Sequence, residues 1–367
     1  MRNLGISIYP DKTSLEDNIK YLHLAKKYGF VRLFVSLLAL VKEENAQKNA
    51  EDIKKFTQIL NTAKELGFIT IADVKADVLK IFNASYDNLQ PMKDLGLSGI
   101  RLDEGMNGMF ESLMTYNSQN LLIEINASGV SGNLDNIISY KPNKHNLVGC
   151  HNFYPKKYSA LSYEQFEESS KNFKNHGLTV AAFVSSSVGN IGPWDITEGL
   201  PTIEDLRNLP IQVQAKYLFY SNLVDDCIIS TAFASEEELK ALSKLNKDCL
   251  TLSIKLNNNV SEVEKNIAFN ELHFLRGDCS DYSIRSTQPR VIYKKHSIAP
   301  ANLKDIEIGD VFIENDDYKN YKGELHIALR PRNNDGKSNV IGSVIQSNIG
   351  LLKYITPWAK FRLENID

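Results

Sequence analysis

Several features are scarce in this sequence, and each scarcity removes a class of protein. Only four cysteines occur in 367 residues. Cys150, Cys227, Cys249 and Cys279 are far apart and form no CxxC pair, which argues against a zinc ribbon or a disulfide framework and fits buried thiols in a reducing compartment. Long hydrophobic runs are missing. The longest, residues 33–41, contains a serine and is about half of the ~20 residues a membrane span needs. The apolar stretch at residues 4–9 is too short, and too soon followed by charge, for a signal-peptide core, so a cytoplasmic protein without a membrane partner is expected. There is no basic excess either, with 42 Lys and Arg against 45 Asp and Glu and a net charge of −3. Nucleic acid is therefore not an expected partner.

What is present is a rhythm. About 43% of the residues are hydrophobic, enough for a full core. Short β-branched runs at 4–9, 31–37, 68–73, 99–103, 121–126, 147–153, 178–185 and 227–231 alternate with amphipathic stretches at 14–28, 50–66, 88–95, 109–116, 133–139, 163–176, 210–223 and 235–241. Gly29, Gly67, Gly96 and Gly177 sit where helices should end, each followed by an apolar strand. Eight such units in about 245 residues predict an α/β fold of the (β/α)8, TIM-barrel type over residues 1–247. A doubly wound open sheet is the runner-up, weakened because no G-x-G-x-x-G follows the first strand. Beyond residue 247 the pattern turns to short strands split by Asn, Asp, Gly and Pro, 290–293 among them. A small, mostly antiparallel, β-barrel-like domain over 248–367 is expected, packed at the barrel mouth.

In such a barrel the chemistry belongs at the carboxyl ends of the strands. If Asp73, Asp103, Glu124, Asn126 and His151 all face inward, strands three to six present one polar ring, with Arg101 placed to pair with Glu124. Two carboxylates, Asp103 and Glu124, with Asp73 and Asp195 in reserve, would act as acid and as base or nucleophile on a glycosidic or ester-like bond. The plainer alternative makes Asp103, Arg101 and Glu124 a satisfied ion network below the mouth. His151 would contact a sugar hydroxyl, or join the carboxylates around a divalent metal. Lys75 as a Schiff-base lysine lacks a second lysine to lower its pKa. The small-residue segment 185–195 suggests phosphate binding by backbone N–H groups, with Trp194 as a sugar platform. Arg276 and Arg285 could grip an anionic group, or Arg276 could merely pair with Asp278 or Asp281.

The motifs Gly5-Ile6-Ser7-Ile8-Tyr9-Pro10, Gly99-Ile100-Arg101-Leu102-Asp103, Ile123-Glu124-Ile125-Asn126-Ala127-Ser128 and Gly149-Cys150-His151-Asn152-Phe153-Tyr154-Pro155 occur in that order. Asn190-Ile191-Gly192-Pro193-Trp194-Asp195, Arg207-Asn208-Leu209-Pro210, Arg276-Gly277-Asp278 and Ile284-Arg285-Ser286 follow. Together they resemble the bacterial family long labelled "outer surface protein", which contains 6-phospho-N-acetylmuramidases. The resemblance runs from near residue 4 to at least 290. It implies a barrel with a small β domain, and cytoplasmic hydrolysis of N-acetylmuramic acid 6-phosphate from N-acetylglucosamine. That would be the last cut in recovering a cell-wall disaccharide phosphorylated during uptake. The implied partner is a small phosphorylated disaccharide, with no cofactor and no metal, and a homodimer is an open alternative to a monomer. Tyr9, Arg101, Asn126, His151, Asn152, Tyr154, Trp194, Arg276 and Arg285 are the expected substrate contacts. Strand three departs from the family pattern: Val74-Lys75-Ala76 follows Asp73 where an apolar-Ala-Pro step is expected. The resemblance fixes no catalytic roles, so the carboxylate nominations rest on strand-end geometry. Two other readings stay open: a metal-dependent barrel isomerase or hydrolase, and a non-enzymatic sugar-binding module.

Overall fold

A computed structural model describes residues 2–42, 46–129, 133–195 and 198–366. The chain forms two compact units, Met1–Leu245 and Asn246–Asp367. In the first, eight strands run in chain order around a closed barrel: β1 (Asn3–Ile8), β2 (Arg32–Ser36), β3 (Ile69–Val74), β4 (Gly99–Leu102), β5 (Leu122–Asn126), β6 (Leu147–Cys150), β7 (Val180–Val184) and β8 (Asp226–Ile229). All pair parallel, and β8 closes on β1 with Asn3 opposite Asp226.

The local signals explain the rhythm. Ser14, Ser162 and Ser235 each accept a hydrogen bond from the amide three residues on, which starts the helices Leu15–Lys27, Tyr163–Asn175 and Glu236–Ser243. Gly29, Gly67, Gly96 and Gly177 adopt positive φ where helices stop. The helix Ala76–Ile81 was not expected; its N-cap, Lys75, makes no side-chain capping bond, so the sequence gives it no start signal.

Register decides which side chains enter the barrel. Ser36, Asp73, Arg101 and Glu124 lie opposite one another on successive strands, so they share a face. That face is the interior, because Arg32 of β2 reaches Glu124 of β5. Gly5 makes room for this arginine: a Cβ there would fall 2.7 Å from the Arg32 Cβ. The alternate residues, including Ile6, Ala72, Ile100 and Ile123, are fully buried on the other face.

The second unit is a seven-stranded sheet of β9 (Leu250–Leu256), β10 (His273–Phe274), β11 (Ser283–Ser286), β12 (Asp310–Glu314), β13 (Leu325–Ala328), β14 (Ser338–Val344) and β15 (Lys360–Asn365). Its order is β10-β15-β9-β14-β12-β13-β11. The β15–β9 pair is parallel and the others antiparallel, which makes it a mixed sheet. Its two edges approach each other: the Arg276 amide donates to the Arg285 carbonyl at 3.1 Å, and His273 Nδ1 lies 3.0 Å from Ser286 Oγ. The expected strand at 290–293 is instead the helix Gln288–Ile292. Pro289 in its first turn has no N–H to give a ladder and a φ suited to starting a helix.

Candidate active site

The interior polar residues fall into three levels. Deepest is an enclosed ion cluster: Arg32 Nη2 donates to Glu124 Oε2 at 2.8 Å, Arg32 Nε lies 2.8 Å from Asp226 Oδ2, and Asn3 Nδ2 donates to Asp226 Oδ1 at 2.8 Å. The Cys150 thiol sits beside it, its pKa pushed up by burial and then by the charge of Glu124. Glu124, expected among the carboxylates of the mouth, lies instead at this enclosed level: its side chain is 1% exposed and paired with Arg32 from across the barrel.

Because Arg32 takes Glu124, Arg101 does not pair with it. At the middle level Arg101 Nη1 donates to Asp73 Oδ1 at 2.8 Å, and Arg101 Nη2 donates to the Asn152 side-chain carbonyl. One level higher, Asp103 Oδ1 lies 3.7 Å from the same Nη1. Asp73 and Asp103 thus flank a single guanidinium. Asp73 is buried, and desolvation raises its pKa to about 6. Arg101 opposes that rise and the charge of Asp103 adds to it. Asp103 is 32% exposed and lies 3.5 Å from Lys75 Nζ, which also meets Glu104 at 2.9 Å. These contacts occupy Lys75 with two carboxylates.

Asn126 is exposed at the strand end, its side chain accepting from the Ser128 amide at 2.8 Å. It shares a small cavity of about 130 Å³ with Asp103, Gly105 and Asn133. Trp194 is half exposed, with its ring 5.6 Å edge-on from Phe153. Asp195 is fully exposed and pairs with Lys12 at 2.9 Å. Tyr154 is half-buried, its amide bonded to the Pro201 carbonyl and its carbonyl to Arg207.

Two expected contacts are enclosed and do not open onto this mouth. His151 is corrected from ligand contact to enclosed core residue. Asn126 of β5 faces Cys150 of β6, so Cys150 is the inward residue and His151 the outward one. The imidazole lies 2.8 Å from Ser170 Oγ and packs on Phe166, and burial lowers its pKa to about 3. Tyr9 is likewise enclosed: its hydroxyl donates to the Ser230 carbonyl at 2.6 Å. A metal built on Asp73, Asp103, Glu124 and His151 would need these side chains together. Among the described residues no group of three or more His, Cys, Asp or Glu converges in that way.

The segment after β7 is also spoken for. Glu238 accepts from the Ser187 amide at 2.8 Å, from Ser187 Oγ at 3.0 Å and from Ser186 Oγ, while Val188 and Gly189 donate their amides to Ser186 Oγ. Of the backbone N–H groups expected to cradle phosphate, that of Ser187 thus goes to a carboxylate and those of Val188 and Gly189 to a serine hydroxyl. Beside it a cavity of about 370 Å³ is walled by Ser186, Ser187, Lys157, Glu198 and Arg207. Arg207 donates to the carbonyls of Tyr154 and Gly199, each at 3.0 Å, to that of Lys156, and to both Glu204 oxygens. In the second unit Arg276 Nε pairs with Asp278, and Asp281 pairs with Arg330 at 3.3 Å. Arg285 Nε lies 3.4 Å from Glu324, a partner no sequence signal announced.

The first unit is a closed parallel barrel with carboxylates at the ends of neighbouring strands and an exposed tryptophan and amide side chains at its rim, a frame shared by many classes of enzyme. Models of the 6-phospho-N-acetylmuramidase N-terminal and C-terminal domains match residues 4–244 and 250–364. The chain belongs to the 6-phospho-N-acetylmuramidase family. An uncharacterized Bacillus cereus protein of known structure is 41% identical over 99% of both chains, with a TM-score of 0.91. A conserved Enterococcus faecalis protein of unknown function is 25% identical over 99% of this chain and 96% of that one, with a TM-score of 0.71. No curated protein matches the chain.

Proposed function

We propose that this glycosidase cleaves the β-1,4 bond between N-acetylmuramic acid 6-phosphate and N-acetylglucosamine, using Asp73 and Asp103 as its working carboxylates. The observation that carries the reading is the pair itself. One carboxyl is buried with its pKa raised to about 6, the other is part-exposed, and both approach Arg101 Nη1. Asp73, protonated, gives its proton to the leaving O4 of N-acetylglucosamine as the bond to the anomeric carbon breaks. Asp103 meets the developing positive charge at that carbon, as nucleophile or as base toward water, and water supplies the hydroxyl of the released sugar. Arg101 and Asn152 hold the pair in place. Trp194, Asn126 and Tyr154 offer a ring face and polar groups to the sugars. The Arg32–Glu124–Asp226 cluster serves as a support beneath the pair.

The substrate would be a disaccharide phosphorylated during uptake and cut in the cytoplasm, as a step in peptidoglycan recycling. The family match supports the phosphorylated muramic sugar. The test is hydrolysis of a chromogenic N-acetylmuramic acid 6-phosphate glycoside beside its unphosphorylated twin, each with and without chelator. Chelator-resistant cleavage of the phosphorylated compound alone is expected. Failure to cleave either compound overturns the substrate assignment, and loss of activity with chelator overturns the metal-independent mechanism.

A further inference from the structure

The second unit holds a charge cluster that the barrel chemistry does not use. Glu324 lies just before β13, its side chain 1% exposed and neither oxygen hydrogen-bonded. Guanidinium nitrogens of Arg285 and Arg290 stand 3.4 and 3.5 Å from its two oxygens. Burial raises the Glu324 pKa, and the charges of Arg290, Arg285 and Arg276 oppose that rise. Each of these three arginines keeps roughly a third of its side chain in water. The Arg276 amide bonds to the Arg285 carbonyl, which fixes the two relative to each other. On the solvent side Asp278, largely exposed, pairs with Arg276 Nε and lies 3.6 Å from Arg285 Nη2. Gly277 lies against the Trp358 indole, where a Cβ would fall 2.6 Å from its ring nitrogen. Trp358 is 60% exposed and stacks on Phe274.

We infer that Arg276, Arg285 and Arg290 form an oxyanion site on the second unit, anchored from beneath by Glu324 and filled in this structure by Asp278, which gives way to the phosphate or carboxylate of a sugar. Three guanidiniums face two carboxylates, so one positive charge is left over. The buried carboxylate cannot leave without stranding two arginines. The exposed one can, because a water-screened pair contributes little. A guanidinium fork matches phosphate and carboxylate alike. The neighbouring indole offers an apolar face to the rest of a sugar. That the ligand is a muramic sugar rests on the function proposed above; the anion site itself does not.

Trp194 and Trp358 are the two tryptophans of the chain, so Trp194→Phe leaves Trp358 as a local reporter. In that background the full chain is titrated by calorimetry and fluorescence with inorganic phosphate, N-acetylglucosamine 6-phosphate, N-acetylmuramic acid and uncharged N-acetylglucosamine. Saturable binding of the anions, with a Trp358 response, is expected. Asp278→Asn should tighten it about two- to fivefold by removing the internal competitor. Arg285→Gln should weaken it at least about tenfold. Preference for N-acetylglucosamine 6-phosphate over N-acetylmuramic acid assigns the site to phosphate, and the reverse to carboxylate. No anion binding, or an Asp278→Asn chain that binds no tighter than its parent, overturns the inference. Asp278 is exposed, so that variant stays folded and decides the matter even if Glu324→Gln does not. Hydrolysis of the phosphorylated glycoside by the unaltered chain, measured in parallel, fails only if the substrate reading is wrong.

Discussion

Both units set arginines against carboxylates, but they enclose them differently. In the barrel Arg32 and Arg101 are almost fully buried, and Glu124 and Asp73 are each held to one of them by an interior bond. On the sheet Arg285 is 31% exposed, and one of its two carboxylate partners faces water. The same residue types thus serve two ends. Enclosed guanidiniums fix where other groups stand and shape their protonation, whereas part-exposed ones keep donor capacity for a ligand. Burial, not residue type, separates the two.

The comparison is tested most severely at Asp73. Asp73→Asn is expected to lower kcat by about 10²–10⁴-fold, the usual contribution of a positioned acid. Because burial favours the neutral form, the proton is held until pH rises through about 6. Above that pH, kcat/KM should fall about tenfold per pH unit. A pH–rate profile flat from pH 5 to 8 would remove Asp73 as the acid. Next comes the deep cluster. Glu124→Gln leaves Arg32 with Asp226 alone and should cost about 3–5 kcal/mol in urea unfolding, while folded molecules keep most of their turnover. A stable but inactive Glu124→Gln enzyme would move the chemistry down one level. Ser170→Ala strips His151 Nε2 of its partner and should cost about 1–2 kcal/mol with kcat unchanged, which separates a core histidine from a working one. The smallest effect belongs to the rim. Trp194→Ala should raise KM several-fold, equivalent to about 1 kcal/mol of stacking, and leave kcat within about twofold.

The barrel was legible because its signals are local. Serine caps, terminal glycines and apolar strands recur within each unit, and the structure follows them closely. The polar ring was legible only in part. Alternation along one strand says which residues share a face, but not which face is inward; that depends on pairing with the next strand. At His151-Asn152 both neighbours are polar, and the pairing of Cys150 with Asn126 selects Asn152. Glu124 shares its face with Asn126 as expected, yet Arg32, 92 positions earlier, turns it into a buried ion pair. Asp73 and Asp103 were readable as strand-end carboxylates, while their shared arginine needed coordinates. Glu324 and Arg290 escaped notice for the same reason: their significance lies in partners from separate strands and a helix. The strand expected at 290–293 failed for a local reason instead, since Pro289 outweighs a short apolar run.

Arg207 carries a mechanical consequence. Its guanidinium is bonded to carbonyls at Tyr154, Lys156 and Gly199, so it laces the segment after β6 to the segment after β7. Those stretches of rim are coupled through one side chain, and a displacement on one side is transmitted to the other. Tyr154 therefore answers to changes in sequence more than forty positions away, and the two segments should be altered together when this mouth is reshaped.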